Sequence, residues 1–125
     1  TKHRVLWTRI ESWAAPGIPD LHGLVDGKTF WLELKVHKLK LLKSIKFRPH
    51  QISWQTQYSS HGGIVWNLVS HPPSRTLNLF SGPQVMGLAG LSLDDVPLCP
   101  LWSSGTPYDW TGLINHLLSS SAEDE

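Results

Sequence analysis

Two runs of alternating apolar residues, Ile18 to Val25 and Thr29 to Val36, meet at Asp26-Gly27. Asp-Gly between such runs is a strong hairpin signal, because the tight two-residue turn needs positive φ at its centre. A two-residue turn pairs Val25 with Lys28. Counting outward from that pair, Asp20 falls opposite Glu33, with Cβ atoms about 5 Å apart. Strand alternation puts Asp20, His22, Glu33 and Lys35 on one sheet face. The other face carries Pro19, Leu21, Val25, Phe30, Leu32, Leu34 and Val36 and is expected to pack on a core. A four-residue turn leaves this register unchanged, whereas a three-residue loop shifts it.

Two carboxylates facing each other across a hairpin repel unless something neutralises them. Hard divalent cations do so, and Mg²⁺ or Mn²⁺ takes one or two protein carboxylates while keeping its other positions for water and phosphate oxygens. Such an ion activates water and polarises phosphoryl oxygens. Lys35, on the same face, is placed to hold an attacking water or offset phosphate charge. The rival structural reading is a surface cluster in which Lys35 simply neutralises the acids. Pro19-Asp20 upstream, the turn between and the basic residues downstream favour the metal site.

Those basic residues form a block. Six of the eleven Lys and Arg residues lie within 35–48, and no Asp or Glu occurs between Lys35 and Leu93. Lys38, Lys40, Lys43, Lys46 and Arg48 after an acidic pair have the character of a phosphate-backbone grip beside a cation site. A length of 125 residues with 40% apolar content suits one compact domain over 1–118, with 119–125 an acidic, disordered tail. No apolar run reaches a membrane span or signal peptide. The chain opens on Thr1, which leaves room for residues upstream. The lone Cys99 makes no internal disulfide, and an intracellular setting is expected.

Elsewhere, Val5 to Ile10 is expected as a first strand, with a break at Ala14-Ala15-Pro16-Gly17. His37 to Phe47 is expected as a connector. Pro49 opens a helix that runs to about Ser60 and stops at Gly62-Gly63. Gln51, Trp54, Gln55 and Tyr58 share one face of that helix. Ile64–Val69 and Thr76–Phe80 have strand character. Pro97, Pro100 and Pro107 point to loops. Asp109 is expected to cap a short helix carrying Trp110, Leu113, Ile114 and Leu117 at helical spacing.

Gly17-Ile18-Pro19-Asp20, Glu33-Leu34-Lys35 and the helix-opening Gln51 resemble the PD-(D/E)XK nuclease superfamily. The resemblance extends to its VRR-NUC and Holliday-junction-resolvase-like branches, including small phage nucleases, and covers roughly 9–69. It implies an α/β, restriction-endonuclease-like fold with a central mixed sheet, an antiparallel site hairpin and flanking helices. It also implies Mg²⁺- or Mn²⁺-dependent hydrolysis of phosphodiester bonds in DNA, commonly leaving 5′-phosphates. Asp20 and Glu33 then stand as metal ligands, with the Leu34 carbonyl a third and Glu11 a further candidate. Lys35 is the catalytic lysine, and Gln51 orients it or a water. Relatives often carry an upstream glutamate on an N-terminal helix; here Glu11 ends a strand.

Duplex or branched DNA is the expected partner, cut by a homodimer. A silent nucleic-acid-binding module, a site-specific homing or restriction enzyme and an RNA-directed nuclease are the alternatives. His22 is a weaker candidate for DNA contact, and Trp54 or Trp102 for stacking on unpaired bases. His37, His50, His61 and His71 lack zinc-type spacing.

Overall fold

The computed structural model describes residues 4–11, 16–91 and 98–123, the last five in backbone only. Ala14-Ala15 of the expected break, Asp94, Asp95, Pro97 and the end of the tail lie outside the described residues. Among the described residues, six strands form one sheet in chain order: β1 (Leu6–Arg9), β2 (Leu21–Val25), β3 (Lys28–Val36), β4 (Val65–His71), β5 (Thr76–Ser81) and β6 (Trp102–Gly105). All neighbours are antiparallel except β3 and β4, which run parallel. The expected mixed α/β sheet with a site hairpin and flanking helices is present.

The hairpin forms through local chemistry. Asp26 and Gly27 have φ of 50° and 77°, the signature of the primed turn, and Val25 pairs with Lys28 as counted. A parallel neighbour needs a long crossover. Residues 37–48 and helix α1 (Pro49–Ser60) supply it. Pro49 stands at the first helical position, and the N–H groups of Gly62 and Gly63 return to the Ser59 and Tyr58 carbonyls to end the helix.

Central strand β4 is buried on both faces, so two cores flank the sheet. One face packs Val25, Phe30, Leu32, Trp66, Leu68, Leu77 and Leu79 against Leu113 and Leu117 of α3 (Trp110–Glu123). The other gathers Ile45, Val69, Phe80 and Leu88, the last from the short helix α2 (Val85–Leu88). Each fully buried aliphatic side chain contributes about 1.5–3 kcal/mol relative to exposure. Ile45 thus fastens the basic connector to the sheet. His37 and His71 add to this, their Nε2 atoms bonding the Leu41 and Leu39 carbonyls at 2.8 Å.

Several expectations need correction. The apolar hairpin face does not stay inside: Phe30 and Leu32 are 2% and 3% exposed, but Leu34 and Val36 are 46% and 61% exposed. No described element covers that end of β3 as α3 covers its beginning. Strand β2 begins at Leu21 rather than Ile18. Strand β6 and helix α2 were not anticipated, because single short elements between prolines carry little periodicity. Asp109 does cap α3, its Oδ1 accepting the Gly112 N–H at 3.0 Å. Trp110, however, is exposed, and the helix continues to Glu123, into the segment expected as a tail. Among the described residues no helix is long and apolar enough to cross a membrane.

Candidate active site

Gly17 sets the approach to the site. Its φ is +91°, and a Cβ there would lie 2.3 Å from the His50 carbonyl oxygen. Only glycine lets this loop rest on the first turn of α1. Buried Pro19 follows, and then Asp20 at the mouth of β2. The Asp20 carbonyl accepts the Ile10 N–H at 2.9 Å, and its Oδ2 accepts the Leu34 N–H at 2.9 Å. The β2–β3 ladder ends at Leu21 and Leu32. The facing of Asp20 and Glu33 therefore stands one step past the last ladder pair, held by side-chain and main-chain bonds instead of by strand pairing.

Glu33 is only 3% exposed, because α1 lies over it. Its Oε2 accepts from Gln51 Nε2 at 2.9 Å and lies 3.6 Å from Lys35 Nζ. Lys35 Nζ donates to Gln51 Oε1 at 2.9 Å, and the same oxygen accepts the Arg48 N–H at 2.9 Å. One amide thus binds the acid, orients the lysine and satisfies a free donor at the helix start. The lysine ammonium also lies 4.7 Å from the centre of the Phe47 ring. Burial, and then the charge of Asp20, push the Glu33 carboxyl from 4.5 up to about 7, with Lys35 pulling the other way.

A carboxyl in this state takes up a positive charge readily, either a proton or a cation. The donor set suits a hard cation: two carboxylates and no sulfur. In a strand a residue's N–H and C=O point to the same side. The Leu34 carbonyl therefore faces the Asp20 edge, as its N–H does, past the last ladder pair. Among the described residues no three His, Cys, Asp or Glu side chains are grouped to hold a metal.

Asp20, Glu33, Lys35 and Gln51 are thus brought together. Glu11 is not part of that group. It lies at the surface with its Oε1 3.6 Å from Arg9 Nε, both side chains more than three-quarters exposed. His22 shares the site face but packs edge-on against Trp31, with ring centres 4.8 Å apart. Lys38, Lys40, Lys43, Lys46 and Arg48 are all exposed along the 37–48 connector. Trp102 packs against the α3-side core.

Sequence reasoning overlooked one supporting contact. Gln55 and Asn67, 1% and 0% exposed, exchange two amide bonds of 2.7 Å that tie α1 to β4. Two signals pointed to it. Gln55 follows Gln51 by one helical turn, and Asn67 is the lone amide in an apolar strand.

No protein-family model matches this chain, and no curated protein sequence matches it. Among solved structures, the chain is similar to Hjc of Archaeoglobus fulgidus, a Holliday junction resolvase from an archaeal hyperthermophile. The TM-score is 0.44 at 15% identity. The likeness covers 62% of this chain and spans 64% of the length of Hjc.

Proposed function

We propose that this chain is a divalent-metal-dependent endonuclease of PD-(D/E)XK type that hydrolyses phosphodiester bonds in duplex or branched DNA. The observation that carries the reading is the pairing of buried Glu33 with Asp20 under a single lysine. Once Glu33 ionises, two acids face one lysine, and a cation can offset the remaining negative charge.

Asp20 and Glu33 would hold the ion, with the Leu34 carbonyl beside them. A bound Mg²⁺ or Mn²⁺ supplies Lewis-acid polarisation of the phosphate and acidifies water. Lys35 supplies the mobile hydrogen bonds. Its ammonium has three donors, one engaged by Gln51 Oε1 and another directed at Glu33 Oε2, so the third can orient water toward phosphorus or meet the charge that builds on the phosphoryl oxygens. Gln51 fixes the separation of the acid from the lysine and keeps the two roles distinct. Lys38, Lys40, Lys43, Lys46 and Arg48 would contact phosphates on either side. Such contacts carry no base information, so cutting should follow DNA structure more than sequence.

The test is cleavage of duplex, flap, junction and single-stranded DNA, with an RNA control, in Mg²⁺ and in chelator. Lys35→Ala should slow cutting by at least about 10²-fold. A variant as fast as the parent would sink the mechanism. Metal binding without cutting of any DNA would point to a silent binding module, and cutting of RNA alone would reassign the substrate.

A further inference from the structure

The site face of α1 extends beyond Gln51. Gln51, Trp54 and Tyr58 follow one helical face at positions i, i+3 and i+7. Trp54 and Tyr58 stack with ring centres 4.7 Å apart and planes 11° from parallel. Trp31, two residues before Glu33 on the same strand face, meets them edge-on at 5.4 and 6.4 Å. These rings belong to neither hydrophobic core. Trp54 and Tyr58 are half-buried, whereas Gln57 and His61 beside them are exposed.

Trp54, Gln57, Tyr58 and His61, along one side of α1 and its C-terminal end, line a shallow, open cavity of about 180 Å³. That is below the roughly 300–1,000 Å³ of pockets for drug-sized ligands, and suits one planar ring system. Its edge chemistry is that of a base reader. The Gln57 amide offers a donor and an acceptor. His61 Nδ1 donates to the Gln57 carbonyl at 2.8 Å, which makes Nε2 the acceptor of the neutral ring. Aromatic walls with hydrogen-bonding edges are how proteins hold unstacked bases.

We propose that this cavity is a nucleobase subsite, holding an unpaired base of the DNA strand whose phosphate lies at Asp20 and Glu33. At 1.5 Å rise per residue, Trp54 and Tyr58 stand about 4.5 and 10.5 Å beyond Gln51 along the helix axis. The base thus belongs to a nucleotide close to the cut. The preferred substrate is therefore DNA with unpaired nucleotides beside the scissile bond, such as a flap or open branch point. The proposal rests on the nuclease reading of the neighbouring centre, so its test reads binding alone.

Fluorescence anisotropy in chelator would compare a labelled single-stranded oligonucleotide with one of equal length carrying abasic sites. The intact chain should bind the abasic strand roughly tenfold more weakly. Trp54→Leu should close most of that gap and leave abasic binding unchanged. Gln57→Ala and His61→Ala, at exposed positions, should narrow it without disturbing the fold. Equal affinity of the parent for both strands would overturn the proposal, as would a gap that none of the three variants narrows. A base-dependent gap in a chain that cuts no DNA would keep the subsite and remove the nuclease reading.

Discussion

Glu33 holds its charge at a cost. Its carboxyl titrates near 7 in the folded chain against 4.5 ordinarily, because burial and Asp20 disfavour the anion. Between those values the folded chain keeps a proton that the unfolded chain has released. The stability this group contributes is full below 4.5 and is lost as pH rises through about 7. A shift of this size corresponds to ~3 kcal/mol. Urea denaturation of the metal-free protein should therefore show a midpoint that falls from about pH 5 to pH 8. Glu33→Gln should flatten much of that fall while abolishing cleavage, and added Mg²⁺ should raise the parent's midpoint most at the higher pH. A parent and variant with the same pH profile would show that Glu33 carries no such penalty.

Helix α1 is the element that makes a site out of a hairpin. It covers Glu33, supplies Gln51, and is tied to β4 by the Gln55–Asn67 amide pair. Its first turn also receives the Gly17 loop that delivers Asp20. Gly17→Ala forces a left-handed φ on a residue with a Cβ and drives that Cβ against the His50 carbonyl. The strain should cost roughly 1–3 kcal/mol. Since Asp20 lies three residues along, cleavage should fall further than stability does. Denaturation curves and cleavage rates, taken well below the melting range, separate the two effects. An alanine variant with unaltered rate would mean that the loop does not position the acid.

At the scale of the molecule, charge is divided by sign. Glu33 lies buried under α1 with Asp20 exposed beside it, and the basic connector stands exposed and is fastened by Ile45, His37 and His71. An exposed basic connector beside the acids fits the proposed polyanionic substrate, whose phosphates would contact it. DNA binding should weaken linearly in log[salt], each phosphate contact contributing about −0.9 to the slope. The triple variant Lys38→Ala/Lys40→Ala/Lys43→Ala should reduce the slope by up to about 3, measured by anisotropy on duplex DNA across salt. An unchanged slope would place the DNA elsewhere.

Local rules made much of this legible in the residues. The Asp26-Gly27 turn determines the pairing of Val25 with Lys28, because a two-residue loop admits one register. Pro49 and Gly62-Gly63 bound α1, and Asp109 starts α3, because helix ends must satisfy their own backbone groups. The register extended from that pair places Asp20 opposite Glu33 and Lys35 on the same face, one step past the last ladder pair. Tertiary structure alone decided the rest. Whether Leu34 and Val36 are buried depends on how far α3 reaches over the sheet, and it does not reach them. That Glu33 is desolvated, that Gln51 joins it to Lys35, and that Trp31 meets Trp54 and Tyr58 all depend on where a crossover of many residues sets α1 down. Register is a property of neighbours in sequence. Burial and long-range hydrogen bonding are properties of elements that meet only when the chain is folded.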